Sequence, residues 1–409
     1  MFKPRDYQLD IANRGVKILR ELNLLYLAMQ VRTGKTFTAL MTAHTYGAKK
    51  VLFLTVKKAI GGIEGDIEIF GKLDVEVLSM ESAHKATGDY DLIILDEAHG
   101  IGAFPKPSKR ANTIREIAFG LPIIYLSGTP NPESLSQLFH QFWISSSSPW
   151  CNYSNFYKWA KEYVKVKQRM FNGRTMNDYS NGIKDKIQPV IDRYFITFTQ
   201  AQANFKCEVN EHILKVRMSD KLMQTVKDLQ EDKVIFGGEH TILADTPVKL
   251  MTKVHQLCSG TIITEEGNTL LFDDTKVNYI KEYFSGKKLA IFYKYKGEYE
   301  MLKKAFPETL TQSIENFNIN EKSHIALQIK AGSTGINLSQ ADAQVFLNID
   351  FSSRDYIQAR ARQQTQDRES CDVYFIFSER GIEEKIYKIL QKKESFTSKY
   401  FLKAQCITF

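Results

Sequence analysis

LLYLAMQVRTGKTF, residues 24–37, joins an apolar run to a Gly-Lys-Thr tripeptide. The run at residues 24–29 has the length and composition of a buried β-strand, and KTFTALMTAH, from Lys35 onward, predicts a helix. Backbone N–H groups at such a strand-to-helix turn can bind phosphate. The complete phosphate-loop pattern, G-x-x-x-x-G-K-[ST], is not present, because Met29 stands where the first glycine belongs. The tripeptide alone leaves two alternatives open, a nucleotide site and an ordinary helix start that carries a lysine.

The same alternation of strands and helices recurs along the chain. Short apolar runs that predict buried parallel strands lie at residues 24–29, 51–56, 75–80, 91–96 and 121–128, and again at 289–295, 324–330, 343–350 and 372–377. Most segments between them are long enough for crossover helices. The pattern therefore predicts an α/β protein with two doubly wound parallel-sheet lobes, residues 1–145 and 213–409.

The segment between the predicted lobes, residues 146–212, is basic. From Lys158 to Arg193 there are nine Lys or Arg against four Asp or Glu. Within it, VKVKQRMFNGRTMNDY is centred on an Asn-Gly pair, which favours the tight turn of a two-stranded hairpin. A solvated structural hairpin is one interpretation, and a nucleic-acid contact is the other. The candidate contact residues are Lys165, Lys167, Arg169 and Arg174.

The composition is that of an ordinary globular protein, with 43% hydrophobic and 25% charged residues among 409. A net charge of +8 suits a polyanionic partner but does not establish one. The five cysteines are odd in number and contain no C-x-x-C, which argues against a disulfide framework or a zinc site. The first residues do not form a signal peptide, and no apolar run is long enough to cross a membrane. We therefore expect a cytoplasmic protein in a reducing compartment.

A second motif completes the chemistry of the first. In LIILDEAHG, Asp96 and Glu97 follow an apolar strand. A carboxylate at that position can hold Mg²⁺, and the next one can orient and deprotonate an attacking water. Gly34 would let the loop approach the phosphates, Lys35 would reach the β- and γ-phosphates, and Thr36 would bind the metal. A surface Asp-Glu pair is the alternative, but it does not explain the position after a buried run. Together the two motifs predict a site for ATP and Mg²⁺.

In this order, GKT, DEAH and LSGTP (residues 126–130) resemble motifs I, II and III of the superfamily 2 helicases and translocases. That superfamily often replaces the first loop glycine, but Arg32 stands where a glycine is usual; it either restricts the loop or contacts the nucleotide. RDYQ, residues 5–8, resembles the adenine-recognising Q motif. The resemblance implies two RecA-like lobes with ATP bound between them. It also implies a nucleotide-binding set of Arg5, Gln8, Arg32, Thr33, Gly34, Lys35, Thr36 and Gly335.

Two further motifs imply contacts with DNA. VLFLTVKK resembles motif Ia, which would place Lys57 and Lys58 near a DNA backbone; solvated lysines at a helix start are the alternative. IKAGSTGINLSQAD, residues 329–342, closely resembles motif V of the Swi/Snf-like group, and it contains a third candidate, Lys330. These contacts would be independent of base sequence.

QARARQQTQ, residues 358–366, resembles motif VI, Q-x-x-x-R-x-x-R. Gln358 and Arg362 fit that pattern, and Thr365 occupies the position of the second arginine. The resemblance implies catalytic roles for Gln358 and Arg362, with Arg362 as the one well-placed arginine finger.

The superfamily resemblance covers roughly residues 2–378. The segment after LSGTP resembles the annealing-helicase, or fork-remodelling, branch of the Swi/Snf-like group, and so small a chain looks like a phage-encoded member. We therefore expect a monomeric DNA-stimulated ATPase that translocates on duplex or branched DNA during replication, recombination or repair. A strand-separating DNA or RNA helicase is one alternative. A nucleotide-gated DNA clamp without translocation is another, suggested by Arg32 and Thr365.

Overall fold

The computed structural model describes residues 3–131, 134–171, 174–204, 207–237, 240–332, 338–364 and 368–392. The chain divides into two compact units, unit 1 (Met1–Phe205) and unit 2 (Lys206–Phe409). Each unit contains a six-stranded, entirely parallel sheet with helices around it. The predicted fold class, two α/β lobes with doubly wound parallel sheets, is confirmed. Among the described residues, no helix is both long and apolar enough to span a membrane.

Unit 1 begins with a helix and then alternates strands and helices. Its helices are α1 (Asp6–Leu22), α2 (Lys35–Tyr46), α3 (Ile60–Phe70), α4 (Lys109–Ile117), α5 (Gln137–Trp143), α6 (Phe156–Tyr163) and α7 (Lys184–Ile191). Its strands are β1 (Leu24–Met29), β2 (Lys50–Thr55), β3 (Asp74–Ser79), β4 (Leu92–Leu95), β5 (Ile123–Leu126), β6 (Lys167–Phe171), β7 (Arg174–Asp178) and β8 (Phe195–Phe198). The sheet order is β3-β2-β4-β5-β1-β8.

Helices cover both faces of the first sheet because its strands are apolar on both sides. Leu25 and Leu27 of β1 belong to a core shared with α1, α2 and α3. Leu24 and Tyr26 of the same strand belong to the opposite core, shared with α4 to α7. Successive strand side chains point to opposite faces, so a fully apolar strand needs both layers. This arrangement places the carboxyl ends of β1, β2 and β4 at one edge of the sheet.

Unit 2 has the same kind of sheet with surrounding helices, but its first element is a strand and not a helix. Its helices are α8 (Asp220–Asp232), α9 (Pro247–Cys258), α10 (Thr275–Tyr283), α11 (Lys296–Ala305), α12 (Ile314–Ile319), α13 (Ile329–Gly332), α14 (Ser353–Arg360) and α15 (Glu383–Leu390). Its strands are β9 (Glu208–Val216), β10 (Val234–Gly237), β11 (His240–Leu243), β12 (Thr261–Ile263), β13 (Thr269–Leu271), β14 (Leu289–Tyr293), β15 (Leu310–Thr311), β16 (His324–Gln328), β17 (Ala343–Phe346) and β18 (Ser370–Ser378). The sheet order is β15-β16-β14-β17-β18-β9.

The basic segment at 146–212 contributes to both units. Trp159 of α6 is fully buried in the core of unit 1. Strand β8 lies at one edge of the first sheet, and β9 lies at one edge of the second. The hairpin is present: β6 and β7 pair antiparallel, with Lys167 opposite Asp178. The Asn172-Gly173 turn lies outside the described residues.

Candidate nucleotide site

The phosphate loop connects β1 to α2 and contains two residues in the left-handed region. Gly34, at the N-terminus of α2, has φ +76°, and Arg32 has φ +64°. Glycine adopts this region without penalty, whereas a side chain costs about 1–2 kcal/mol there. Arg32 therefore adopts the backbone conformation for which the superfamily pattern has a glycine, and its neighbours must hold it there.

The N-terminus of α1 packs directly against this loop. The buried Gln8 side chain donates from Nε2 to the Gly34 carbonyl at 3.3 Å, and its Oε1 accepts from the Arg5 backbone N–H at 2.9 Å. A Cβ on Gly34 would lie 2.4 Å from Gln8 Nε2, so the contact itself requires glycine. Both polar ends of the Gln8 amide are thus used within the loop region. Recognition of an adenine edge by Gln8 stays a prediction.

Tyr7 and Thr33 fix the middle of the loop. The Tyr7 hydroxyl donates to the Thr33 carbonyl at 3.1 Å and accepts from Arg5 Nη1 at 2.7 Å. The Thr33 hydroxyl is buried and donates to the Gln30 carbonyl at 2.7 Å. These contacts bring the RDYQ stretch to the Gly-Lys-Thr stretch. The Thr33 hydroxyl is therefore used within the loop, and nucleotide binding by Thr33 stays a prediction.

The acidic motif lies at the carboxyl end of β4. The Thr55 hydroxyl, at the end of neighbouring β2, donates to Asp96 Oδ2 at 2.9 Å. Burial and the adjacent Glu97 raise the pKa of Asp96 to about 6, although Lys35 and Thr55 act to lower it. The structure therefore brings Lys35, Asp96 and Glu97 to one edge of the sheet. No sequence motif indicated Thr55. Its position beside Asp96 follows from the pairing of β2 with β4.

His99 connects the DEAH stretch to the LSGTP stretch. Its Nδ1 lies 3.3 Å from Glu97 Oε2 and 2.9 Å from Ser127 Oγ. Ser127 Oγ also accepts from the Thr129 backbone N–H at 3.1 Å. Glu97 itself has φ +49°, again in the left-handed region. The orientation of Glu97 is thus tied to the segment that follows β5.

Thr36, on α2, and Asp96, directly after β4, are the two predicted magnesium ligands. The Thr36 hydroxyl and the Asp96 carboxylate are hard ligands of the kind that Mg²⁺ takes together with phosphate oxygens. A third carboxylate, Asp66 on α3, was missed by the sequence analysis: burial raises its pKa to about 6, and an interaction with the Thr36 hydroxyl opposes this rise. Within the part of the chain that the structure describes, no group of three or more His, Cys, Asp or Glu could hold a metal ion.

In unit 2, the described part of the predicted motif VI, residues 358–364, begins in the last turn of α14 and continues through the 3₁₀ turn Ala361–Gln363. Arg360 Nη1 pairs with Glu211 Oε1 of β9 at 2.7 Å. The hydroxyls of Tyr356 and Tyr387 donate to the same carboxylate. Arg360 and Tyr356 therefore connect α14 to β9 through Glu211.

Gln358 and Arg362, the two predicted catalytic residues of this motif, lie on either side of Arg360 in the chain. Gln358 is buried, with 2% of its surface exposed, and Arg362 is partly buried in the turn after α14. The Arg362 carbonyl accepts from the Leu338 N–H at 3.2 Å, which ties the turn to the end of motif V. Gly335 and Thr365, to which the sequence analysis also assigned positions in motifs V and VI, lie outside the described residues.

The candidate DNA-binding lysines are exposed. Lys57 and Lys58 lie in a 3₁₀ turn directly after β2. Lys165 and Lys167 lie at the base of the hairpin, and Lys330 is on α13. The side chains of Arg169 and Arg174 lie outside what the structure describes. Exposed lysines suit phosphate contacts, and their DNA contacts stay predictions.

A family model, the helicase conserved C-terminal domain, matches residues 252–364, which lie within unit 2 and include Gln358 and Arg362. No match to a curated protein was found. Similar solved structures include the Sulfolobus solfataricus SWI2/SNF2 ATPase core in complex with dsDNA, with 15% identity, a TM-score of 0.43, and coverage of 96% of this chain and 91% of that chain. The Sulfolobus solfataricus SWI2/SNF2 ATPase core domain has 15% identity, a TM-score of 0.42, and coverage of 96% and 89%.

Proposed function

We propose that this protein is a DNA-stimulated ATPase that translocates on duplex or branched DNA without recognising base sequence. The observation that carries the proposal is the convergence of Lys35, Asp96 and Glu97 at the carboxyl edge of one parallel sheet. Loop amides at the N-terminus of a helix, a lysine and two carboxylates suit phosphoryl transfer to water. The match of residues 252–364 to a helicase C-terminal domain supports the same conclusion for unit 2.

Each residue of unit 1 has a distinct role in this proposal. Lys35 neutralises the β- and γ-phosphates, and Thr36 and Asp96 hold the magnesium ion that accompanies ATP. Magnesium held there would supply positive charge beside the transferring phosphoryl group. Glu97 orients the attacking water and accepts its proton, and His99 keeps the Glu97 carboxylate in place. Because Asp96 must be ionised to bind the metal, we expect kcat/KM for ATP, which reports on the nucleotide-free protein, to fall as the pH drops through about 6.

Arg362 is the proposed arginine finger from unit 2. Of the two arginines at this point of the chain, Arg360 is paired with Glu211 and has a structural role. An arginine that stabilises transferring charge contributes to turnover and leaves DNA affinity unchanged. Because the resemblance to motif VI assigns the finger to Arg362, we propose that unit 2 affects hydrolysis through this residue.

DNA binding is proposed to depend on lysines that contact phosphates. Lys57, Lys58 and Lys330 are exposed and sit beside the ends of sheet strands. Phosphate contacts release counterions, so affinity should fall steeply with salt and vary little with base sequence.

The hairpin β6–β7 is proposed to act at branched DNA. Met170 on β6 is 81% exposed, and Met176 on β7 is 57% exposed. The register pairs Met170 with Thr175 and Arg169 with Met176, so the two methionine positions lie on opposite faces of the ribbon. Exposed apolar side chains near a hairpin tip can wedge against a base pair, and the basic residues at its base would hold the backbone. We propose that it couples translocation to fork reversal or branch migration.

One experiment tests this function and separates it from its alternatives. ATP turnover is measured with single-stranded, duplex, forked and four-way DNA and with RNA, using Glu97→Gln as the inactive control. The proposal expects the strongest stimulation by duplex or branched DNA. Stimulation by single-stranded DNA or RNA alone would favour a strand-separating helicase. DNA binding without any turnover would favour a nucleotide-gated clamp.

A further inference from the structure

The segment that leaves unit 1 after β8 is hydrogen-bonded to the start of the phosphate loop. The Gln200 backbone N–H donates to Gln30 Oε1 at 2.7 Å, and Gln200 Nε2 donates to the Val31 carbonyl at 3.1 Å. The Gln30 N–H donates to the Phe198 carbonyl at 2.9 Å. The Phe198 ring stacks on Tyr7, 4.6 Å between centroids. Three hydrogen bonds therefore fix the first two residues of the loop.

The next residue is the one that needs such support. Arg32 has φ +64°, which costs free energy for any side chain that carries a Cβ. After it, Thr33 and Gly34 are held by Tyr7 and Gln8. Arg32 thus lies between Val31 and Thr33, whose carbonyls accept hydrogen bonds from the side chains of Gln200 and Tyr7. If either is released, Arg32 can relax to negative φ and turn the loop amides away from the phosphates.

We propose that Gln200 is a positioning residue of the phosphate loop. It rests on the nucleotide site proposed above: Gln200 holds Gln30 and Val31, and through them it keeps Arg32 in the conformation that binds phosphate. Gln200 also lies just before the boundary between the units, at residues 205 and 206. A nucleotide that orders the loop therefore orders the segment leaving unit 1 as well.

The test compares two glutamines of the same turn. Gln200→Ala removes the bond to Val31, whereas Gln202→Ala removes bonds that Gln202 Oε1 accepts from the Thr199 N–H at 2.8 Å and from the Thr199 hydroxyl at 3.1 Å. One hydrogen bond corresponds to roughly a 2- to 10-fold change in an equilibrium constant. We expect Gln200→Ala to raise KM for ATP by that factor with kcat within about twofold, and Gln202→Ala to leave KM unchanged.

Two further measurements distinguish positioning from a general loss of folding. Gln200→Glu would place a carboxylate against the Val31 carbonyl, so it should raise KM more than Gln200→Ala does. Hydrogen exchange at residues 199–204 should slow when a non-hydrolysable ATP analogue and Mg²⁺ bind the parent, and slow less in Gln200→Ala. A loss of kcat at unchanged KM would indicate partial unfolding and overturn the positioning role.

The failure of this inference can be distinguished from failure of the proposed function. If the parent binds ATP, and Gln200→Ala binds it with the same affinity and the same protection of residues 199–204, Gln200 has no positioning role while the nucleotide site stands. If the parent does not bind ATP at all, both are overturned.

Discussion

Each unit has its own six-stranded parallel sheet, but the charged residues at the carboxyl edges of the two sheets are arranged differently. In unit 2, Lys294 follows β14 and Asp350 follows β17, with 2.9 Å between Nζ and Oδ1. Burial acts to raise the pKa of Asp350, but Lys294 lowers it below the usual value. In unit 1, Asp96 and Glu97 are adjacent like charges, and burial together with Glu97 raises the pKa of Asp96 to about 6.

The difference is between a buried pair of opposite charges and two adjacent like charges. In a buried pair of opposite charges, mutual attraction offsets the cost of desolvation, and removing one partner is costly. Two neighbouring carboxylates repel each other until a cation binds between them. Unit 1 therefore carries an electrostatic cost that magnesium and the phosphate-bound lysine would relieve, and unit 2 does not.

The largest expected effect concerns the proposed catalytic carboxylate. Glu97→Gln should keep ATP binding but lower turnover by about 100-fold or more, because the amide cannot accept the proton of the attacking water. ATP affinity and steady-state hydrolysis check the two halves separately. Asp350→Asn is the matched control from unit 2, and its folded fraction should turn over ATP normally. Parental hydrolysis by Glu97→Gln would remove Glu97 from the chemistry.

The second prediction concerns the contribution of unit 2 to hydrolysis. Arg362→Ala should abolish DNA-stimulated turnover while DNA binding survives, because a finger stabilises transferring charge and not the duplex. Arg354→Ala is the control, since Arg354 lies on α14 and pairs with its neighbour Asp355. ATPase rates and DNA affinity at one fixed salt concentration provide the comparison. An unaffected rate in Arg362→Ala would exclude this residue from the site.

The hairpin should matter for remodelling and not for hydrolysis. Replacing residues 168–176 by a short Gly-Ser turn should leave duplex-stimulated ATPase largely intact and slow remodelling of forked and four-way DNA sharply. A point variant sharpens this: Met170→Ser should impair remodelling, whereas Phe236→Ser, which is 77% exposed on the β10–β11 hairpin, should not. Junction remodelling at the parental rate by the shortened variant would show that the hairpin is only structural.

The smallest effects are on stability, and they should have opposite signs in the two units. The raised pKa of Asp96 means that its ionisation costs stability as pH rises through about 6. Asp96→Asn should therefore stabilise the nucleotide-free protein at pH 7.5 by on the order of 1–2 kcal/mol, and not at pH 4.

Asp350, with a lowered pKa, stabilises the fold at neutral pH, and that contribution is lost as pH falls. Asp350→Asn should destabilise by about 3 kcal/mol at pH 7.5.

Denaturant unfolding at the two pH values measures both variants. The same sign for both at pH 7.5 would contradict the contrast between the units.

Much of the fold was predictable because the sheet strands are apolar on both sides. Runs such as residues 24–29 and 289–295 have the length and composition of buried strands, and the structure confirms strands at Leu24–Met29 and Leu289–Tyr293. The convergence of Lys35 with Asp96 was also predictable, since both follow parallel strands of one sheet. Local patterns do not show which unit an edge strand joins, so the partners of β8 and β9 could not be predicted.

The residues that support the site were harder to predict. Thr55, Asp66 and Gln200 each contact the site from a different part of the chain. No spacing rule connects residue 200 to residue 31, because their contact depends on β8 pairing with β1. Gln8 was identified from its motif, but its contact with Gly34 could not be predicted from sequence.

The most direct test of the central claim is ATP turnover with and without duplex DNA in the parent protein and in Lys35→Ala. Lys35 is present in both alternatives, a nucleotide site and an ordinary helix start, but ATP hydrolysis depends on it only in the first. We predict that duplex DNA raises turnover in the parent and that Lys35→Ala shows neither basal nor stimulated hydrolysis. A parent that hydrolyses no ATP under either condition, or a Lys35→Ala variant that keeps the DNA-stimulated rate, would contradict it.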